Sequence, residues 1–262
     1  MNKVVIVFGA SKGIGLATAK LFVEKGFKVY GVSRSGSTAE GAQGIIADVT
    51  DFAALEGVYE KVYAAEGRID AVINNAGLGI SGAVEFTTDE KVEKICLLNF
   101  SALEKSCRLA AKYLRETKGR IVNLSSVAGI LPIPFQTYYT ATKSAVLNFS
   151  RAYNIELKPL GVKVLAVLPG DTKTNFTAAR DKSEEGADIY GDRIARSVSR
   201  MEHDEQNGVP PINVAKVIYK LVTARNPKPY KVVGFSYKLL VGLSRVLPTR
   251  FIDWVLYQMY AK

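Results

Sequence analysis

The sequence has few of the residues that build metal sites and disulfides. It contains one histidine, His203, and two cysteines, Cys96 and Cys107. A single histidine excludes the His-rich metal centres, and its charged neighbours predict that His203 is a solvated surface side chain. The cysteines lie about three turns apart on one predicted helix, which is too far for a disulfide. We therefore expect no metal site and two reduced, half-buried thiols.

Long apolar runs and flexible linkers are also missing. The longest purely apolar stretches cover a few residues, as at 164–168, whereas a membrane-spanning helix needs about 18. The segment before the first glycines is too short for a signal peptide, so the sequence predicts a cytoplasmic protein. With 262 residues, 48% of them hydrophobic, and no Pro/Gly-rich linker, the chain fits a single domain over 1–262.

The formal net charge of +10 is compatible with nucleic acid, an anionic membrane or acidic ligands as partners. The basic residues are scattered, however, and no nucleic-acid-binding motif is present, so we expect no nucleic-acid partner. The excess of basic over acidic residues is concentrated only from Lys228 to the end, where six Lys and Arg residues accompany one acid, Asp253.

Short β-rich runs alternate with longer helical patterns over the first 170 residues. Several runs are apolar without alternation, which is typical of strands buried on both faces of a parallel sheet. The predicted strands are Val4–Phe8, Lys28–Val32, Gly44–Ala47, Ala71–Ile73, Arg120–Leu124 and Val162–Leu168. The predicted helices are Gly13–Lys25, Phe52–Ala65, Asp89–Tyr113 and Thr137–Lys158. This order predicts an α/β fold: a single-domain, Rossmann-like, doubly wound parallel sheet with flanking helices, with its ligand crevice at the carboxyl ends of the strands.

The last third of the chain departs from this pattern. Residues 175–208 are polar and poor in apolar periodicity, so we expect a mobile lid over the crevice at 175–210. A helix near Asn213–Ala224 and a strand near Tyr230–Gly234 follow.

The tail at 236–262 is apolar and aromatic with interspersed basic residues, and Pro248 divides it into two helical segments. A basic amphipathic helix can lie on an anionic membrane surface, which would make the protein peripheral to a membrane. The plainer alternative is a tail packed on its own domain, on a partner subunit or over the substrate mouth.

A glycine-rich turn, Gly9-Ala10-Ser11-Lys12-Gly13-Ile14-Gly15, follows the first predicted strand. Glycine permits a tight turn and a close backbone approach to a pyrophosphate, and the helix start behind it offers free N–H groups. We expect a dinucleotide-binding turn, although the G-x3-G-x-G spacing differs from the standard fingerprint. A tight turn without a ligand is the alternative.

The second strand ends without the acid that would accept the adenosine ribose 2′-hydroxyl of NAD. Ser33 and Arg34 stand there instead, and Lys12 could add a second positive charge near a 2′-phosphate. We therefore predict NADP(H) over NAD(H). The alternative is that Arg34 and Lys12 are ordinary exposed cations.

Tyr139 and Lys143 lie four residues apart on one predicted helix face. A nearby ammonium stabilises a phenolate and lowers the pKa of tyrosine from about 10. Tyr139 could then exchange a proton with a substrate oxygen. The rival residue, Tyr138, has the uncharged Thr142 as its neighbour four residues on.

Other polar residues lie at a strand end or within an apolar stretch. Ser125 and Ser126 end the strand Arg120–Leu124, where a hydroxyl can bond the substrate oxygen or cap the loop. Asn99 lies in an apolar helical pattern, so it needs a partner if it is buried; it could equally be a surface residue.

Together these residues resemble the short-chain dehydrogenase/reductase family, from Lys3 to about Thr174. The glycine turn, the pair Asp48-Val49, the turn Asn74-Asn75-Ala76-Gly77 and the segment Pro169–Thr174 are similar to its cofactor-binding motifs. The resemblance implies a catalytic tetrad of Asn99, Ser126, Tyr139 and Lys143. It implies a cofactor site of Gly9, Ser11, Lys12, Gly13, Ile14, Gly15, Ser33, Arg34, Asp48, Val49, Asn75, Ala76, Gly77, Tyr139, Lys143, Pro169, Gly170, Thr172 and Thr174.

The resemblance also implies roles. Tyr139 is the acid/base, Ser126 positions the substrate oxygen, and Lys143 binds the nicotinamide ribose and lowers the tyrosine pKa. Asn99 holds a water in a proton relay, and the nicotinamide exchanges hydride with the carbinol carbon.

Two residues, Phe8 and Thr172, depart from the family pattern and affect only the fine cofactor geometry. The resemblance further implies a homodimer or homotetramer formed through the two long helices Asp89–Tyr113 and Thr137–Lys158.

The segment Val127–Gln136 contributes an apolar wall to the predicted crevice, with Phe135 and Gln136 as candidate substrate contacts. Apolar walls with few polar anchors suit a hydrophobic ligand, so a bulky apolar alcohol or ketone (steroid, retinoid or other lipid) is the leading substrate class. A 3-oxoacyl thioester or small ketone is the alternative substrate. A catalytically silent NADP(H)-binding sensor or scaffold is the alternative of another class.

Overall fold

The computed structural model describes residues 2–262 and contains a seven-stranded, all-parallel sheet. The strands of this sheet are β1 Val4–Phe8, β2 Lys28–Ser33, β3 Gln43–Ile46, β4 Ala71–Asn74, β6 Arg120–Leu124, β7 Lys163–Pro169 and β9 Tyr230–Val233. Their order across the sheet is β3-β2-β1-β4-β6-β7-β9. A separate two-stranded ladder pairs β5 Ile80–Ser81 with β8 Asp181–Lys182. The predicted α/β fold is confirmed, with strand ends displaced by at most one residue.

Helices cover both faces of the sheet. They are α1 Gly13–Glu24, α2 Phe52–Glu66, α3 Asp89–Cys96, α4 Ala102–Thr117, α5 Thr137–Leu157, α6 Ala187–Tyr190, α7 Arg193–Gln206, α8 Pro211–Thr223, α9 Phe235–Leu243 and α10 Thr249–Tyr260. Successive residues of a strand point to opposite faces. Val4 and Ile6 accordingly pack with α2, α4 and α5, whereas Val5 and Val7 pack with α1 and α8. Burial on both faces explains why the strand sequences are apolar throughout.

The predicted helix Asp89–Tyr113 is two α-helices joined by a π-helical turn at Leu97–Ser101. Its two cysteines differ in environment, so the expectation of two half-buried thiols was wrong. Cys96 is exposed and Cys107 is buried, where burial raises the pKa of its thiol to about 12. His203 is exposed, as its neighbours predicted.

The segment predicted as a mobile lid contains a regular helix, α7. Its buried face is formed by Ile194, Ser197, Val198 and Met201, spaced at i, i+3, i+4 and i+7. This is the amphipathic spacing, so the expectation that residues 175–208 are poor in apolar periodicity was wrong for α7. The charged residues between these positions hide the pattern because they lie on the solvent side.

The tail folds back onto the domain as α9 and α10, and Pro248 precedes α10 as predicted. Val241 is buried, and Ile252 and Leu256 pack with it against Leu131 and Leu168. The tail thus packs on its own domain and also lines the cavity, as two of the three packing alternatives expected, while packing on a partner subunit stays a prediction. No helix within residues 2–262 is both long enough and apolar enough to cross a membrane.

Candidate active site

A cavity of about 1320 Å³ lies at the carboxyl ends of the central strands. Every predicted cofactor residue except Gly15 lines it, and so do the candidate substrate residues Ser126, Gln136 and Tyr139. The chain order of β1, β4, β6 and β7 brings these distant residues together, because parallel strands place their carboxyl ends at one edge of the sheet.

The glycine turn is shaped for a close approach of backbone to ligand. Gly9 and Gly13 have φ angles of +73° and +56°, in the left-handed region that favours glycine. At Gly15, an added Cβ would collide with the carbonyl oxygen of Gly9 and lie 2.6 Å from Nδ2 of Asn75. That amide donates to the same carbonyl at 3.0 Å. The absence of a side chain at Gly15 therefore lets the turn pack closely against the end of β4.

The turn and the helix behind it fit the phosphates of a dinucleotide. Ser11, Lys12 and Gly13 line the cavity at the start of α1. No side chain among the described residues caps this helix start, so its N–H groups are free to meet an anion.

The adenosine end of the cavity combines two cations with one acid. Arg34 and Lys12 are exposed and line the cavity, as does Asp48. The Asp48 carboxylate accepts from the backbone N–H and hydroxyl of Thr50 at 2.9 and 2.7 Å, and these bonds, aided by the charge of Arg34, lower its pKa. The hydroxyl of Ser33 donates to the carbonyl of Ser37, so it shapes its own turn.

Tyr139 and Lys143 share one face of α5 at the cavity wall. The ammonium of Lys143 lies 5.6 Å from the centroid of the Tyr139 ring and donates to the carbonyl of Leu124 at 2.9 Å. Lys143 is buried, and burial lowers its pKa to about 8. Tyr138, the rival in sequence, is not among the residues that line the cavity within 2–262.

The acidity of Tyr139 differs from the prediction. Desolvation of its hydroxyl raises its pKa to about 12, while the neighbouring Ser126 hydroxyl and the charge of Arg180 act in the opposite direction. The carboxylates of Glu205 and Asp171 raise it further. The expectation that the side chains around Tyr139 lower its pKa was therefore wrong, because burial outweighs the nearby charges.

The two serines at the end of β6 have different partners. The Ser125 hydroxyl donates to the backbone carbonyl of Lys143 at 2.7 Å and fixes α5 to the sheet. Ser126 accepts from the N–H of Ala128 at 3.1 Å, as a capping serine does, and it faces the cavity beside Tyr139. Ser126 is therefore the hydroxyl that can contact a substrate oxygen.

Asn99 is buried in the π-helical turn and does not line the cavity. Its carboxamide accepts from the N–H of Leu78 and donates to the Leu78 carbonyl, both at 2.9 Å, and it also donates to the hydroxyl of Thr142 at 3.2 Å. Asn99 thus holds the loop after β4 against α5. The buried carboxamide is therefore hydrogen-bonded to two backbone groups and one side-chain hydroxyl.

The two candidate substrate residues next to α5 lie in different places. Phe135, with a φ of +58°, packs against Tyr190 of α6 at a ring separation of 5.7 Å; it does not line the cavity. Gln136 does line it, and its carboxamide oxygen, turned toward Arg180, accepts from that guanidinium at 3.0 and 3.1 Å.

The segment after β7 lines the cavity opposite α5. The Thr172 hydroxyl donates to the carbonyl of Gly170 at 3.0 Å, and Thr174 accepts from the N–H of Phe176 at 3.2 Å. Both threonines thereby stabilise the loop, which backbone hydrogen bonds between Asp171, Lys173 and Val209 also hold in place.

Sequence reasoning missed a polar cluster that links the lid to the site. Arg180 is buried and pairs with Glu205, which lines the cavity and also accepts from the Thr177 hydroxyl. Asp171 accepts from the Tyr237 hydroxyl of α9, and burial raises its pKa to about 6. The available signal was weak, because charged residues in a polar segment usually face water.

The tail contributes an apolar part of the cavity wall. Its lining side chains there are Leu240, Leu243, Leu247, Phe251, Val255 and Met259. The cavity thus combines a polar acid/base group with apolar side chains that suit a hydrophobic ligand.

Comparisons with known proteins agree with this geometry. The family model for short chain dehydrogenases matches residues 3–185. A 3-ketodihydrosphingosine reductase of Bacteroides thetaiotaomicron is 36% identical over 264 residues, covering 99% of this chain and 98% of the relative. The structure of a short-chain dehydrogenase from Streptomyces avermitilis is 28% identical, with a TM-score of 0.84 over 97% of this chain and 96% of its own. The structure of ElxO with NADP bound is 25% identical, with a TM-score of 0.73 over 91% of this chain and 100% of its own.

Proposed function

Because this chain belongs to the short-chain dehydrogenase/reductase family, we propose that it is an NADP(H)-dependent reductase of long-chain lipid ketones of the 3-ketodihydrosphingosine type. The oxidoreductase class and the nicotinamide cofactor follow from the family itself. One observation carries the finer proposal: Tyr139, Ser126 and Lys143 meet in a cavity to whose wall the tail contributes apolar side chains. The relative that matches the chain over almost its whole length bears the name of such a reductase.

The tetrad supports proton transfer to a ketone oxygen. With a pKa of about 12, the Tyr139 hydroxyl stays protonated at neutral pH, so it is ready to donate its proton to a carbonyl oxygen. Ser126 lies beside it and can donate a hydrogen bond to the same oxygen as negative charge develops there. The nicotinamide, when bound, supplies the hydride.

Lys143 and Asn99 keep this acid in place. Lys143 reaches past the Tyr139 ring to the Leu124 carbonyl, and an added Cβ on Gly77 would lie 3.5 Å from its ammonium. The ammonium therefore lines the cavity beside Gly77, and it would hold a ribose hydroxyl of the cofactor there. Asn99 fixes the loop that carries Gly77.

Charge supports the choice of NADP(H) over NAD(H). Arg34 follows β2 at the adenosine end, Lys12 lies in the glycine turn, and both are exposed on the cavity lining. A guanidinium can bind a 2′-phosphate through two hydrogen bonds. The carboxylate of Asp48 lies in the same region, but its bonds to Thr50 hold it in its own turn.

NADPH oxidation in the presence of a substrate panel tests the proposal. The panel contains 3-ketodihydrosphingosine, a 3-oxoacyl thioester and a ketosteroid, and Tyr139→Phe serves as the inactive control. Turnover of the first substrate with the highest kcat/KM supports the proposal. A higher kcat/KM for the thioester or the steroid would show that the proposed substrate class is wrong and that the preferred compound represents the correct one. NADPH binding with no turnover of any ketone would favour the sensor or scaffold.

We also propose that the enzyme is a homo-oligomer joined through α4 and α5. Ile155 of α5 is 71% exposed in the single chain, and an interface through α4 and α5 would bury it. Sedimentation velocity of the wild type and of Ile155→Asp tests this. If the variant forms the same oligomer as the wild type, the interface does not lie at Ile155. The cytoplasmic location stays a prediction of the sequence.

A further inference from the structure

The tail leaves an apolar surface uncovered. We call this surface the tail face: the outward sides of α9 and α10 and the loop between them. Its most exposed apolar side chains include Phe235, Leu239, Val246, Phe251, Trp254 and Tyr257. Phe235 is 86% exposed and Val246 is 78% exposed. A large apolar patch exposed on a soluble monomer usually has a binding role, and these side chains lie on two successive helices and the loop between them.

We propose that the tail face binds the surface of an anionic lipid bilayer, and that the lipid ketone enters the cavity from there. The first half stands on the tail face alone. The second half rests on the proposed function, since it requires a lipid substrate.

Charge identifies the partner as anionic. Lys238, Arg245 and Arg250 stand among the apolar side chains, and Asp253 is the single acid after Lys228. Within residues 2–262, no carboxylate lies within salt-bridge distance of these three cations. Arg245 contacts the Tyr230 hydroxyl and ring, a neutral partner that leaves its charge uncompensated. Apolar and aromatic side chains combined with Lys and Arg on short helices match the requirements of an anionic membrane interface.

The same charges argue against a second copy of the chain as the occupant. A two-fold interface brings one patch against itself. On the tail face this would set Lys238, Arg245 and Arg250 of one copy near the same residues of the other, with only Asp253 to offset them. Like charges brought together in this way oppose association.

The position of the tail face connects it to the site. Leu243, Phe251 and Met259 are exposed at the surface and also line the cavity. The apolar side of the cavity therefore opens between side chains of the tail face itself. A helix in the membrane interface buries its apolar side among the acyl chains, so a lipid could pass into the cavity without crossing water.

The chain carries its own probe for this test. Trp254 is the single tryptophan of the sequence and is 58% exposed on α10. Transfer of its indole from water into the interface would shift its fluorescence to shorter wavelength. We would titrate the full chain with vesicles of phosphatidylglycerol and phosphatidylcholine, and with vesicles of phosphatidylcholine alone, at low salt.

Two variants and one control separate the contributions. Leu239→Glu/Val246→Glu removes apolar contacts from positions that do not line the cavity, and Lys238→Gln/Arg250→Gln removes two charges. Leu160→Glu is the matched control, because Leu160 is 46% exposed just before β7. It therefore lies at the amino ends of the strands, whereas the cavity lies at their carboxyl ends. We expect each double variant to bind anionic vesicles about tenfold or more weakly than the wild type, and Leu160→Glu to bind as the wild type does.

Absence of a Trp254 shift with anionic vesicles, or binding that both double variants retain, would overturn the proposal. So would a shift that occurs without lipid as protein concentration rises, because it would show that a second copy covers the tail face. The entry route is tested by activity on a short, water-soluble ketone and on a long-chain ketone held in vesicles. Loss of only the second activity in Leu239→Glu/Val246→Glu supports the route, and equal activities of variant and wild type on both substrates refute it. If the wild type reduces no ketone at all, the proposed function fails while the vesicle result still decides membrane binding.

Discussion

Replacing Lys143 by methionine should stabilise the cofactor-free protein near neutral pH, even though it removes a member of the tetrad. Lys143 is 5% exposed, and burial lowers its pKa from 10.5 to about 8. One pKa unit corresponds to about 1.4 kcal/mol, so protonated Lys143 reduces the free energy of unfolding by about 3 kcal/mol. Methionine has a similar length and carries no charge, and it leaves the Leu124 carbonyl without its donor, which costs about 1–2 kcal/mol. The expected net gain at pH 7 is therefore about 1–2 kcal/mol.

The pH dependence gives the sharper measurement. Below pH 8 the lysine is protonated in both the folded and the unfolded chain, so the full penalty is present. Between pH 8 and 10.5 the unfolded chain binds more protons than the folded chain at this site, and the stability of the wild type rises with pH. Above 10.5 the lysine is neutral in both states. The stability of Lys143→Met relative to the wild type should therefore fall by up to about 3 kcal/mol across this window.

Urea unfolding of both proteins at pH 7, 9 and 10.5 measures this difference directly. Other titrating groups are shared by the two chains, so they cancel in the comparison. A difference in unfolding free energy that stays constant from pH 7 to 10.5 would refute the burial argument for Lys143. NADPH-dependent turnover of the variant, measured in parallel, should fall below detection.

The remaining predictions concern the cofactor turn, the cofactor's phosphate and the acid. Gly15→Ala should abolish NADPH binding, because the added Cβ collides with the Gly9 carbonyl. The control Gly57→Ala has open space around it on α2, so it should bind NADPH normally and gain about 0.5–1 kcal/mol of stability. Normal binding of NADPH by Gly15→Ala in calorimetry would disprove the role of the turn. Arg34→Ala should weaken NADPH binding roughly 10- to 100-fold, from the loss of charged hydrogen bonds of about 1.5–3 kcal/mol, with little change for NADH; equal losses for both cofactors would remove the case for a phosphate contact. Tyr139→Phe should lower kcat by about 10²- to 10⁴-fold with an intact fold by circular dichroism, and full turnover would mean that another group supplies the proton.

Sequence alone predicts the parts of this molecule that depend on local pattern. The apolar strands such as Val4–Phe8 could be identified because both of their faces are buried. The glycine turn could be identified because its backbone conformation excludes other residues at Gly9 and Gly13. The spacing of Tyr139 and Lys143 could be interpreted because a helix turn fixes their relation.

What the sequence could not give depends on burial by distant segments. The pKa of Tyr139 is raised because its hydroxyl is buried and the carboxylates of Glu205 in α7 and Asp171 after β7 act on it, which no local pattern records. Arg180 belongs to a polar segment, yet its side chain is buried against Glu205. Phe135 follows an apolar wall but turns toward the lid, because its positive φ redirects the chain.

The π-helical turn at Leu97–Ser101 has a consequence for the tolerance of this chain to deletion. Each residue of an α-helix rotates the following side chain by about 100°, and a π turn accommodates one residue more than an α turn would. Loss of a single residue here would let α3 and α4 merge into one regular helix. It would also swing one half of that helix by about a quarter of a circle relative to the other, so that either Asn99 left Leu78 or the buried face of α4 left the sheet. Related sequences should therefore vary freely in residue type on the exposed side of α3 while keeping its length unchanged.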